Sequence, residues 1–149
     1  MEKAFLIKKV QRYDISGKSV LQTQEKFYAA DTGLRTLNTN TVQFQDTFYL
    51  ENVIYNELLL RDYRVYTGKT SKGEIDFIAV KNGRKCFIQV CYLLSGEKTV
   101  EREFSAFTAV KDASPKYVLS LDKVDFSHDG ITHINIIDFL SGKKDIAVL

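Results

Sequence analysis

Gly73-Glu74-Ile75-Asp76-Phe77-Ile78-Ala79-Val80-Lys81-Asn82-Gly83-Arg84-Lys85-Cys86-Phe87-Ile88-Gln89-Val90-Cys91-Tyr92 decides the fold of this chain. Asn82-Gly83 between two alternating apolar runs is a strong hairpin signal, because a type I′ turn needs positive φ at both central residues. With that pair as the loop, Lys81 faces Arg84. The register carried back sets Asp76 opposite Gln89 and Glu74 opposite Cys91. Directly opposed residues share a sheet face, with Cβ atoms about 5 Å apart. Glu74, Asp76, Gln89 and Cys91 are therefore expected on one face, with Ile75, Phe77, Ile88 and Val90 on the other. That grouping of side chains has the geometry of a divalent-metal site or of its remnant.

Around this hairpin the composition is that of an ordinary globular protein. The 149 residues are 44% hydrophobic and 27% charged, enough to bury a core in one domain. No apolar run approaches the roughly 20 residues of a membrane span, and the stretch after Met1 is too short for a signal peptide. The two cysteines fall on opposite faces of one strand and are poorly placed for a disulfide. A cytoplasmic location is the default expectation, with no membrane partner. The net charge of +2 excludes little. Residues 1–40 carry seven Lys and Arg against four Asp and Glu, whereas residues 101–149 carry six against eight. Any nucleic-acid contact is thus expected on the N-terminal half.

Residues 4–12 and 19–28 form an expected hairpin around Ser16-Gly17-Lys18, and the polar residues 36–45 an expected joint. Asp46 can cap a helix running to about Asp62. A strand at Arg64–Thr67 and a basic loop from Gly68 to Gly73 precede the central hairpin. Ser95 can cap a helix through about Lys111, with Val100, Phe104, Phe107 and Val110 on one face. Pro115 ends it, and residues 116–121 and 131–140 are further strands. The order predicts an α/β fold with a mixed sheet and helices packed on it.

Projected at 100° per residue, the first helix has Leu50, Val53, Ile54, Leu58 and Leu60 on its apolar face and Glu57 in the middle. A carboxylate there needs a partner. Two are available: Arg61 one turn on, or the Asp76/Gln89 patch if this face packs on the sheet.

With Glu57, Asp76 and Gln89 in view, the chain resembles the PD-(D/E)XK, or restriction-endonuclease-like, nuclease fold. Its core runs helix, three-stranded meander, helix, strand. The resemblance implies that Glu57, Asp76 and Gln89 form the catalytic set and bind Mg²⁺, with a lysine expected two residues beyond Gln89. Cys91 stands there. More closely, the whole chain resembles the C-terminal domain of a family of bacterial and archaeal AAA+ ATPases of uncharacterised role. The likeness is carried by Lys26-Phe27-Tyr28 through Arg35, Leu50-Glu51-Asn52 through Leu59, Gly73 to Ala79, Ile88 to Leu94 and Glu101-Arg102-Glu103-Phe104. It implies that residues 1–40 are a β-hairpin appendage resembling the wing of a winged-helix linker, and residues 41–149 the nuclease-like domain. An AAA+ ATPase domain is the implied partner.

Mg²⁺ favours hard oxygen ligands, which Asp76, Glu57 and the Gln89 carbonyl supply. A thiol is a poor substitute for a lysine that orients water or offsets phosphate charge. Lys98, Lys69 and Lys72 are candidate migrated lysines. The resemblance therefore implies a degenerate nuclease fold serving as a nucleic-acid-binding or partner-binding module, or else an active Mg²⁺-dependent DNA phosphodiesterase. Lys8, Lys9, Arg12 and Lys18 on the first hairpin, with Lys69 and Lys72, are the candidate DNA contacts. Gly96-Glu97-Lys98-Thr99 lacks the glycines of a phosphate-binding loop, so no ATP site is expected in this chain. His128 and His133 are expected as solvated or core-edge residues. Cys86 and Cys91 are expected as small buried ones, and Glu101, Arg102 and Glu103 as solvated helix positions.

Overall fold

The computed structural model describes residues 6–35 and 46–148. Its strands are β1 (Ile7–Asp14), β2 (Ser19–Ala29), β3 (Arg64–Thr70), β4 (Gly73–Lys81), β5 (Arg84–Val90), β6 (Lys116–Ser120) and β7 (Ile131–Asn135). The helices are α1 (Asp46–Leu60), α2 (Glu97–Ser105) and α3 (Ile136–Leu140). All seven strands form one mixed sheet in the order β2-β1-β3-β4-β5-β6-β7. The fold is thus α/β. Ile54, Leu58 and Phe139 of α1 and α3 pack with Phe77, Ala79, Cys86 and Ile88 on one face of the sheet. Phe104 and Phe107 pack with Ile78, Phe87 and Val118 on the other.

The central hairpin has the expected register from Lys81↔Arg84 back to Phe77↔Ile88. Asn82 (φ 53°) and Gly83 (φ 75°) adopt the positive φ the turn requires. The first hairpin is continuous with the rest of the sheet instead of standing apart from it, because β1 pairs in parallel with β3 through Arg12↔Thr67 and Asp14↔Lys69. The joint expected at residues 36–45 lies outside the described residues.

Three expectations change. The loop foreseen from Gly68 is strand as far as Thr70, and only Ser71-Lys72 turns. The second helix starts at Glu97 behind Gly96, without a side-chain cap from Ser95, and tightens into a 3₁₀ turn at Ala106–Ala109. The last strand stops at Asn135, whose side chain accepts the Ile137 and Asp138 N–H groups and so starts α3. An asparagine that satisfies two free helix donors outweighs the strand propensity of the isoleucines on either side of it.

β4 carries the irregularity that matters most. Tyr66 pairs with Ile78 and Gly68 with Ile75, so Asp76 and Phe77 together oppose Thr67. Two residues against one make a β-bulge, which interrupts the alternation and re-aims the side chains beside it. Ile75 therefore joins the α2-side core with Ile78, while Phe77 enters the α1-side core. Simple parity had put Ile75 and Phe77 together.

Candidate functional site

Asp76 and Gln89 do meet, but by a different bond from the ladder pair expected. β4 and β5 part beyond Phe77↔Ile88. There the Asp76 N–H donates to Gln89 Oε1 at 2.7 Å, and the Val90 N–H donates to Asp76 Oδ2 at 2.8 Å. Side chains thus replace the backbone ladder and wedge the strands open. β5 turns to β6, the Cys91 N–H donating to Leu119 O at 3.0 Å. The pairing of Glu74 with Cys91 is not made. Glu74 lies in register with Lys69 on β3, and Cys91 is buried in the α2-side core. Burial, with Glu103, Asp122 and Asp76 nearby, pushes the Cys91 thiol up to about 12, so it holds its proton.

Glu57 is not part of this site. Its Oε1 accepts from Arg61 Nε at 2.7 Å. Arg61 in turn donates to Phe139 O and Asp145 and lies over the Phe139 ring. The pair clamps the C-terminal segment onto α1. The glutamate that faces Asp76 from α1 is Glu51, which lies about 120° further round the helix, since six residues turn it through 600°. The projection misled because apolar side chains occur on both sides of α1, and Leu60, counted in the core stripe, is 79% exposed. The buried stripe is Glu51, Ile54, Tyr55 and Leu58.

Tertiary contacts fix that rotation. Asn52 Oδ1 accepts the Ala29 N–H at 2.9 Å while its Nδ2 donates to Ala29 O at 2.8 Å, as a neighbouring strand would. Tyr28 stacks on Tyr55 with ring centroids 4.6 Å apart, and both lean on Phe77. The Tyr28 hydroxyl then donates to Glu51 Oε2 at 3.2 Å.

Lys26, two residues before Tyr28, supplies the cation of the site. Its ammonium contacts Glu74 and lies 3.5 Å from Glu51. Burial opposes its charge, but the hydrogen bond to Glu74 and the fields of Glu51 and Asp76 keep its pKa above the ordinary value. Arg12 binds Glu74 from β1 at 2.6 Å. On the α2 side Gln89 Nε2 is 3.5 Å from Glu103 Oε2. Glu103 is buried under two hydrogen bonds from Arg102. Desolvation, then the charges of Glu51 and Glu103, raises the Asp76 pKa well above the ordinary aspartate value against the pull of Val90 N–H and Lys26. Burial likewise raises Glu51, opposed by Lys26 and Tyr28.

Sequence reasoning thus missed Glu51, Glu103 and Lys26, although each left a trace. Glu51 and Glu103 both occupy an i, i+3, i+4, i+7 stripe, with Ile54, Tyr55 and Leu58 in one case and Val100, Phe104 and Phe107 in the other. Lys26 shares strand parity with the buried Tyr28.

Among the candidate migrated lysines, Lys98 is exposed in the first turn of α2 and Lys69 is exposed on β3. Lys72 Nζ donates to Thr108 Oγ1 at 3.1 Å beside an open cleft of about 600 Å³ lined by Glu74, Gln89 and Glu103. Of the proposed DNA contacts, Lys9 pairs with Glu25 and Arg12 with Glu74. Lys8 is half-buried opposite Tyr28, and Lys18 is exposed at the hairpin tip. His128 stacks on Phe104. His133 is buried, and its Nδ1 accepts the Phe126 N–H at 3.3 Å, so Nε2 carries the proton toward Ser120 Oγ, 2.8 Å away. Ser120 Oγ donates onward to Asp122 at 2.7 Å. In that tautomer His133 cannot take the serine proton, and the trio is a core network. No helix among the described residues is long and apolar enough to cross a membrane.

The donor chemistry of Glu51 and Asp76 suits a hard cation, but their arrangement does not. Gln89 Oε1 is turned to the Asp76 N–H, and Lys26 already supplies positive charge beside Glu51. Among the described residues no three His, Cys, Asp or Glu side chains converge on one point as ligands. Asp76 therefore carries a cost, and Asp76→Asn is expected to stabilise the fold by about 1 kcal/mol at pH 7.5. The asparagine oxygen still accepts the Val90 N–H, and the neutral amide no longer meets the fields of Glu51 and Glu103 as a like charge. In the parent, a carboxyl pKa above its unfolded value penalises the folded state at high pH, and the penalty fades as pH falls through the raised pKa. The advantage of the variant, followed by urea unfolding from pH 8 to pH 5, should shrink accordingly.

The chain is 35% identical over 141 residues, 94% of its length, to an uncharacterized protein of Haemophilus influenzae. No protein-family model and no solved structure matches it. The chain spans about a third (34%) of the length of that relative.

Proposed function

We propose that this chain is a restriction-endonuclease-like domain whose acid site is neutralised from within and that serves as a nucleic-acid-binding module, rather than as a hydrolase. The observation that carries this reading is Lys26, whose ammonium contacts Glu74 and lies 3.5 Å from Glu51, beside Asp76. Two further features support it. The order α1, β3, β4, β5, α2, β6 agrees with the core of that fold. The strands also part where its acidic residues would stand. We further propose an AAA+ ATPase domain as partner, on the resemblance of the segments around Lys26-Tyr28 and Gly73-Ala79.

The test combines cleavage and binding. The chain is incubated with supercoiled plasmid and with labelled single-stranded DNA, in Mg²⁺ or Mn²⁺ and without either. The expected result is no new product and a retarded DNA band that is lost as salt rises. Metal-dependent cutting abolished by Asp76→Ala would replace this reading with hydrolysis. Absence of both binding and cutting would sink it.

A further inference from the structure

A second depression lies next to the acid cleft and has the opposite charge. It is a groove of about 750 Å³ bounded by the β1–β2 turn, the β3–β4 turn, the start of β5 and the 3₁₀ turn after α2. Lys18, Lys72, Lys85 and Lys111 line it against one acid, Asp112. Asp112 is spent on Lys85 at 2.7 Å. Burial works against its charge, but Lys85 and Ser114 hold its pKa down at about 2. Lys18 and Lys111 make no ion pair among the described residues, which leaves three uncompensated cations around one groove.

Their placement is built into the backbone. Lys18 sits at φ 52°, a left-handed conformation that costs a residue with a side chain about 1 kcal/mol or more. Asp14 Oδ1 accepts both the Ser16 and Gly17 N–H groups at 3.0 Å, which fixes the turn beneath it. Lys72 is held by Thr108, whose hydroxyl donates to Ser105 O at 2.8 Å. Lys72 and Thr108 also line the acid cleft, so groove and cleft adjoin along this pair. The floor is apolar, with Ile78 and Phe87, and Tyr13 forms one wall. Lysines on several sides suit a chain of phosphodiesters, which supplies one negative charge per nucleotide.

We propose that this groove holds the sugar–phosphate backbone of a nucleic-acid strand, with Lys18, Lys72 and Lys111 as the phosphate contacts and little dependence on base sequence. The assignment rests on the nucleic-acid reading above and moves its surface. Of the six basic residues expected from sequence it retains only Lys18 and Lys72, and it adds Lys111.

The test is fluorescence anisotropy of a labelled thymidine 20-mer titrated with the chain at several salt concentrations. It compares the parent, the triple variant Lys18→Gln, Lys72→Gln, Lys111→Gln, and a charge-matched control, Lys98→Gln, Lys123→Gln, Lys144→Gln. All six positions are exposed, so each protein should keep the parent's circular dichroism. The groove variant is expected to bind at least about tenfold more weakly at low salt. The slope of its log affinity against log salt should drop by roughly 2, from three contacts of about 0.7 each. The control should stay within about threefold of the parent. If the groove variant and the control behave alike while the parent binds, the groove assignment is wrong and the nucleic-acid reading survives. If the parent does not bind at all, that reading itself fails. A duplex of random sequence, run in parallel, shows whether the groove prefers a single strand.

Discussion

Lys26→Met is expected to destabilise the fold by about 3 kcal/mol at pH 8, the low end of the cost of removing one partner from a buried ion pair. The low end applies because the Lys26 side chain keeps about a quarter of its exposure (25%). Methionine preserves the apolar stem, so the loss measures charge rather than packing. Without the ammonium, Glu51 and Asp76 face each other's field uncompensated, while Glu74 retains Arg12.

Two signatures separate this account from a merely structural lysine. With the cation removed, the carboxyl pKa values of the folded state rise further above their unfolded values. The folded state then takes up protons more readily than the unfolded one, so acidification favours it. The deficit measured by urea unfolding should therefore shrink between pH 8 and pH 5. Adding Glu51→Gln should also recover at least half of the loss, a coupling that a double-mutant cycle reads directly. A deficit equal at both pH values and untouched by Glu51→Gln would show that Lys26 contributes only its stem.

Phe77→Ala is expected to cost about 4 kcal/mol, within the usual range for truncating a fully buried phenylalanine. Phe77 is completely buried, and its ring lies 5.7 Å from Tyr28 and 6.2 Å from Tyr55, centroid to centroid. The β-bulge turns it toward α1, and the two tyrosines above it carry the bond from Tyr28 to Glu51. The cavity should thus loosen the tyrosine stack as well as the core. Reduced near-ultraviolet dichroism and a lower urea midpoint at unchanged slope would check both effects. Phe77→Leu, which keeps most of the volume, should cost less than half as much. Equal losses for the two variants would mean that the ring contacts with Tyr28 and Tyr55, and not the filled volume, carry the cost.

The central hairpin was legible because its cause is local. Two residues at positive φ fix the turn, and the turn fixes the register from Lys81↔Arg84 to Phe77↔Ile88. The same register failed at Asp76, where Thr67 on the neighbouring strand faces two residues. Nothing between Gly73 and Tyr92 announces that bulge. Gly68, immediately after Thr67, hints at close approach only in retrospect: a Cβ there would lie 2.9 Å from Ile15 and 3.0 Å from Ile75.

The choice of glutamate on α1 failed for a related reason. A helix with apolar residues on both sides has no rotation of its own, and packing chooses one. Asn52 bonded to Ala29 and Tyr55 stacked on Tyr28 turn Glu51 inward and leave Glu57 to Arg61. Lys26 was further out of reach, since its neighbours Glu74 and Glu51 lie 48 and 25 positions away in the chain.

By itself, then, the sequence determined the α/β class, the order of helices and strands through β6, the hairpin register near its turn, and the meeting of Asp76 with Gln89. Local φ preferences and hydrophobic periodicity suffice for these, because each acts over a few residues. Only the tertiary structure decided which glutamate faces Asp76, which cation answers it, that the first hairpin joins the sheet, and where three lysines gather. Those outcomes depend on helix rotation, a bulge and a parallel strand pair, and each is set by contacts between segments far apart in the chain.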